Sequence, residues 1–171
     1  MAILSVDGAQ LTLDAPYFPD LTAQASRYRG RFNRTRKCWV FDAKHEEELR
    51  AMCLRLYGVD GRPETAADVV DVTVAVEEMS VSYPLFRKFN ADIYVGGRHV
   101  AGVLKGRPIV RPGKGIRFLK QEPDLLREGL GWWLSIPSGA EFTMRSVARM
   151  ALPFIESCLA GHGRVLGAAA T

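Results

Sequence analysis

The chain has 171 residues, 47% hydrophobic and 25% charged, which is the length and composition of one globular domain or two small ones able to bury a core. No apolar run approaches the roughly 20 residues that a membrane-spanning helix needs, and the opening Met-Ala-Ile-Leu-Ser-Val-Asp lacks the charged and apolar regions of a secretory signal, so a cytoplasmic protein with no membrane segment is expected. A net charge of +4 is modest but unevenly spread, and three cysteines without a CxxC pair (Cys38, Cys53, Cys158) exclude a disulfide framework or a patterned zinc site.

In chain order, residues 2–13 read as two short strands around Asp7-Gly8, a dipeptide suited to a two-residue hairpin turn. Pro19 suits the first turn of a short helix running to about Ser26. The stretch from Arg27 to Trp39 then holds six cationic side chains and three aromatics in thirteen residues, with no carboxylate. Read as extended chain, Tyr28, Gly30 and Phe32 share one face while Arg27, Arg29 and Arg31 share the other. Asn33 to Arg36 forms a polar turn, and Lys37 to Phe41 restarts the strand, giving a hairpin with an arginine-rich face and tip.

Asp42 is placed to cap a following helix, with Glu46 to Glu48 in the early turns and Gly58 at its end. Leu49, Met52, Cys53 and Leu56 fall on one stripe that would lie against a sheet. Residues 61–68, with Gly61, Pro63 and Thr65, read as a linker. Beyond them Val69 to Val76, the segments flanking Gly96-Gly97, and those flanking Pro112-Gly113-Lys114-Gly115 read as short glycine-punctuated strands, with two more strands expected over 131–137 and 142–147. Pro153 to Leu159 reads as a last helical turn or two, and residues 161–171 as a frayed, flexible tail. The expected fold class is therefore α+β: an α/β module over 1–60, the linker, and a compact antiparallel β-rich module, a small barrel or sheet, over 69–160.

Tyr17-Phe18-Pro19-Asp20-Leu21, Arg31-Phe32-Asn33, Lys37-Cys38-Trp39-Val40-Phe41 and the acidic-started helix to Tyr57 resemble the HARP (HepA-related) domain, across residues 13 to 58. In that family an aromatic-His-Pro start leads to a short helix, an aromatic-Asp pair, a basic turn, Trp-x-Phe and a second helix; here Phe32 and Asn33 take the aromatic and acidic positions. The resemblance implies a DNA-binding module acting where single and double strands meet. No Walker motif and no helicase motor accompany it, because Gly113-Lys114-Gly115 lacks both the spacing and the Ser or Thr of a P-loop.

The basic stretch points to phosphates. Unopposed positive charge concentrates polyanions, and arginine forks grip phosphate oxygens in pairs. The candidate contacts are Arg29, Arg31, Arg34, Arg36 and Lys37, with Trp39 either core or a platform for an unpaired base. A second basic block, Arg98, Lys105, Arg107, Arg111, Lys114 and Arg117, lies on strands and glycine-rich turns, where Gly106, Gly113 and Gly115 would let backbone approach a phosphate. The expected partner is nucleic acid, single-stranded or forked DNA or RNA, in a non-enzymatic binding protein suited to a plasmid, phage or other mobile element. The alternative is a small inhibitor or adaptor whose basic surface docks on an acidic protein, with Trp132-Trp133 and the Met79 to Phe89 stretch as its contact or as a homodimer face.

Enzymatic readings rank lower. His45, His99 and His162 are scattered, no HExxH or GxSxG pattern occurs, and the carboxylates Asp68, Asp71, Glu77, Glu78 and Asp92 sit around a linker and strand ends. Neither a catalytic residue nor a cofactor or metal is expected.

Overall fold

The computed structural model describes residues 2–84, 91–103, 109–128 and 131–170, with side chains except at 81–84, 128, 131 and 132. Its architecture is mixed, with helices and small antiparallel sheets. It divides into two units: Met1–Val69 with Gly96–Arg98 and Val147–Ile155, and Val70–Val95 with His99–Ser146 and Glu156–Thr171.

In the first unit β1 (Ile3–Asp7) and β2 (Gln10–Asp14) form a hairpin in which Asp7 faces Gln10 across Gly8 and Ala9. Helix α1 (Pro19–Arg27) starts on Pro19, whose missing N–H costs nothing in a first turn. Strand β3 (Arg31–Asn33) and strand β4 (Cys38–Asp42) follow, and the sheet order is β1-β2-β4-β3. Asp42 then caps a 3-10 turn over Ala43–His45, its Oδ1 accepting from the Lys44 N–H at 3.0 Å, before α2 (Glu46–Tyr57) begins.

Helix α2 owes its position to its stripe: Leu49, Met52 and Cys53 are fully buried and Leu56 nearly so. Each buried Leu or Met of the stripe contributes about 1.5–3 kcal/mol by leaving water. Arg50 grips Glu46 one turn earlier at 2.7 Å, and Gly58 ends the helix at φ +69°, a left-handed conformation that favours glycine. The sheet supplies the other half of this core through Leu4, Leu11, Leu13 and Phe41. The stretch expected to be a linker contains helix α3 (Pro63–Ala67), with Ala66 buried. It is tied down through Asp60, which accepts from the Arg62 N–H at 3.0 Å and the Thr65 hydroxyl at 2.9 Å and pairs with the Arg62 guanidinium at 3.3 Å.

The second unit is built from β5 (Val69–Val76), β6 (Met79–Pro84), β7 (Asp92–Val95), β8 (Arg98–Val103), β9 (Val110–Pro112), β10 (Ile116–Lys120), β11 (Asp124–Glu128), β12 (Gly131–Ile136), β13 (Glu141–Ala148) and β14 (Gly163–Ala170). In the chain, helix α4 (Leu152–Leu159) follows β13, its residues to Ile155 belonging to the first unit and the rest to the second. These strands form three antiparallel sheets, β10-β13-β5-β14, β11-β12-β6 and β7-β8-β9. Val70, Val72, Val74 and Val76 alternate into the core along β5, meeting Phe142 and Met144 of the same sheet. The segment expected to fray differs from that reading. Gly163–Ala170 pairs with β5 from Gly163 opposite Val76 to Ala170 opposite Val70, because backbone hydrogen bonds to a β-branched strand hold a glycine- and alanine-rich segment that has little side chain of its own to pack.

Candidate nucleic-acid interface

The basic hairpin of the first unit is shorter than the alternation in sequence suggests. Arg27 closes α1, and Arg29, at φ +53°, reverses the chain, so the strand begins only at Arg31. The reversal is tight: a Cβ on Gly30 would lie 2.3 Å from the Phe41 ring, so only glycine lets the backbone pass there. Arg31 faces Val40, Phe32 faces Trp39 and Asn33 faces Cys38. Because paired residues share a face, Arg31 stands opposite the aromatic side of the sheet.

Between Asn33 and Cys38 the loop Arg34-Thr35-Arg36-Lys37 is held by one side chain. Asn33 Oδ1 accepts from the Thr35 N–H at 3.1 Å and the Arg36 N–H at 3.0 Å, an Asx turn that fixes the loop from within. Lys37 returns the chain to β4 in a left-handed conformation, φ +54°. Arg29, Arg31, Arg34, Arg36 and Lys37 are all exposed, and among the described residues none of the five meets a carboxylate. On the opposite face Phe32 is 50% exposed. Its ring meets Trp39 edge-on at 5.5 Å, and Trp39 in turn stacks toward Phe41 at 6.4 Å. Trp39 is half-buried, between the buried Phe41 and the exposed Phe32.

The second basic block is arranged differently. Arg111 lies on β9 and pairs with Gly102 of β8, whereas Arg117 lies on β10 and pairs with Thr143 of β13, so the two arginines belong to different sheets. Lys114 sits exposed in the turn between them, and Arg98 starts β8 half-buried. Lys120, at the end of the block, is paired with Glu141 at 2.5 Å. Lys105 and Arg107, with Gly106, lie outside the described residues. The expectation that Gly113 opens its backbone to a phosphate is not met. Its N–H donates to the Val100 carbonyl at 2.9 Å, and a Cβ there would lie 1.8 Å from the His99 carbonyl oxygen, so the missing side chain serves internal packing.

Three of the carboxylates around the linker and strand ends have partners within the chain. Asp68 pairs with Arg149 at 2.8 Å, Asp71 accepts from the Ser146 N–H at 3.0 Å, and Asp92 lies 2.8 Å from His99 Nε2. Among the described residues no three His, Cys, Asp or Glu side chains gather as metal ligands, and no helix is long and apolar enough to cross a membrane. The His99–Asp92 pair, with the Tyr94 ring tilted against His99 at 5.3 Å, escaped sequence reading. Counting outward from Gly96-Gly97 as a two-residue turn would have set Tyr94 across from His99. Gly102 forms the floor of the pair, since a Cβ there would lie 2.1 Å from Asp92 Oδ1 and 2.4 Å from His99 Nε2. Cys38 and Cys53 are buried and Cys158 is exposed. Burial pushes the Cys53 thiol up to about 12, so it stays protonated and unreactive at neutral pH.

No protein-family model, no curated protein and no solved structure matches this chain.

Proposed function

We propose that the first unit binds the phosphate backbone of nucleic acid through the β3–β4 hairpin. The observation that carries this reading is a preorganised loop, pinned by Asn33, that presents Arg34, Arg36 and Lys37 with Arg31 and Arg29 close by in the chain, all exposed and none neutralised among the described residues. A patch of this kind costs little to organise on binding, because the turn is already in place. It takes phosphates without reading sequence. The half-exposed Phe32–Trp39 edge adds what a duplex does not need: an aromatic surface on which an unpaired base stacks for about 1–3 kcal/mol. Single strands, or forks where a single strand leaves a duplex, are therefore the substrate class. The HARP-like succession of short helix, aromatic and polar pair, basic turn, Trp-x-Phe and second helix supports the same class. The protein acts by holding the strand and performs no ATP-driven remodelling.

Fluorescence anisotropy with labelled single-stranded, duplex and forked DNA and with RNA tests the proposal on the full chain. Single-stranded or forked DNA or RNA is expected to bind more tightly than blunt duplex, and Arg34→Glu with Arg36→Glu is expected to abolish most of that affinity while leaving the circular dichroism spectrum unchanged. Equal affinity in the double variant would remove the hairpin from the site, and an acidic protein captured in place of all four nucleic acids would favour the adaptor reading.

A further inference from the structure

In the sheet β11-β12-β6, Leu134 and Ile136 are fully buried and Met79 nearly so. The two-residue period of a strand therefore sends Trp133 and Ser135 of β12 and Ser80 of β6 to the opposite face, and Glu78, just before β6, joins them in lining it. That outer face is hollow: Glu78, Ser80, Leu126, Arg127, Trp133 and Ser135 line an open cleft of about 500 Å³, a size typical of small-ligand sites.

The pairing register arranges the lining in rows. Leu126 stands beside Trp133, and Ser135 stands between Asp124 on one side and Ser80 on the other. Ser80, opposite Ser135, lies two strand positions from the tryptophan row, about 7 Å at roughly 3.3 Å per residue, and Glu78 precedes the strand beyond it. The cleft is thus elongated, with Trp133 and Leu126 beside Arg127 at one end and hydrogen-bonding groups along the rest. The tryptophan end is a platform in water, with Trp133 37% and Leu126 52% exposed. The other end offers two hydroxyls, which both donate and accept, and a carboxylate, which only accepts. Of the charged side chains that line the cleft, Glu78 and Arg127 are opposite in sign, and Asp124 stands exposed opposite Ser135; a field so mixed does not select a chain of phosphates.

A ligand that fits must combine a flat C–H face with an uncharged edge rich in O–H donors, and must be longer than one ring. Sugars joined in a chain have that chemistry. We propose that this cleft binds a neutral oligosaccharide, one ring lying on Trp133 and Leu126 and its neighbours hydrogen-bonding to Ser135, Ser80 and Glu78. The assignment does not depend on the hairpin's role.

Isothermal titration of the full chain with β-linked hexasaccharides of glucose and of N-acetylglucosamine, each at millimolar concentration, tests it. At least one is expected to bind, with affinity falling about tenfold or more in Trp133→Ala and severalfold in Glu78→Gln, and unchanged when Arg34 and Arg36 are reversed to glutamate. Should Trp133→Ala fail to fold, Glu78→Gln and Ser135→Ala carry the decision. The proposal is overturned if neither saccharide binds the wild-type protein, if the folded cleft variants bind as tightly as wild type, or if a thymidine oligonucleotide displaces the sugar.

Discussion

Two stretches of this chain carry nearly the same charge signal, yet they fold into different things. Residues 27–39 hold six cationic side chains without an acid, and residues 98–120 hold seven. The first becomes a hairpin whose four-residue loop carries Arg34, Arg36 and Lys37 together, pinned by Asn33. The second passes from one sheet to another at Gly113, parts Arg111 from Arg117, and ends with Lys120 neutralised by Glu141. Like charges act together only when a turn holds them within a Debye length, about 8–10 Å in physiological salt. The turn therefore matters as much as the count of arginines.

The largest expected effect sets one stretch against the other. Reversing Arg34 and Arg36 removes two charge-assisted contacts of about 1.5–3 kcal/mol each, a loss on the order of a hundredfold or more in affinity for single-stranded DNA by anisotropy. Reversing Arg111 and Arg117 is expected to change it only severalfold; equal losses would make the second block a full part of the site and dissolve the contrast. Salt titration sharpens the same point. If the five hairpin cations each neutralise one phosphate, the log–log slope on a single strand is about −3.5, and the Arg34/Arg36 variant flattens it by about 1.4.

Phe32→Ala comes next. Loss of a stacked base is expected to weaken single-strand binding by about 1–3 kcal/mol and to leave duplex binding unaffected; a uniform loss on both substrates would return Phe32 to a packing role. Asn33→Ala loosens the loop without touching its charge, so a weakening of about 1 kcal/mol or less in affinity is expected, together with faster amide exchange at Thr35 and Arg36. Unchanged exchange would show that the loop holds its shape without Asn33.

The smallest effect is the control, placed away from the hairpin. Burial alone would raise the Asp60 carboxyl, but the Arg62 N–H, the Thr65 hydroxyl and the Arg62 and Arg50 guanidiniums outweigh it and hold the group below its ordinary value of 3.8. A lowered folded value means stability that is fully present above the unfolded value and lost as pH falls through the folded one, hence only below about pH 4. Asp60→Ala is expected to cost about 1 kcal/mol of stability at pH 7, to converge with wild type in the acid limb of a denaturation series, and to bind DNA as wild type does. A loss of DNA affinity in Asp60→Ala would show that the hairpin depends on the α3 anchor.

Much of the first unit is legible from residue pattern alone. The Asp7-Gly8 hairpin, the proline-started α1, the buried stripe of α2 and the Gly58 stop all follow from local rules in which each residue's preference agrees with its neighbours'. The reading failed where the same residues serve two periods. Arg27 to Phe32 alternates like a strand, but its first half is a helix end and a reversal, because the close approach of Gly30 to Phe41 is a three-dimensional fact. It failed again over 161–171, where a strand of small residues exists only because β5 offers a partner.

What the amino-acid order by itself determined is the inventory: which segments are amphipathic, where the chain turns, and that two acid-free basic runs are present, the first interleaved with aromatics. Tertiary structure alone decided which of those charges stand together, that Gly113 is packed against His99 instead of open to a ligand, and that Trp133 faces a hollow on a sheet. The reason is physical. Backbone preference and hydrophobic period act over a few neighbouring residues, whereas strand pairing, which sets every side chain's face and its neighbours, is chosen by contacts far apart in the chain.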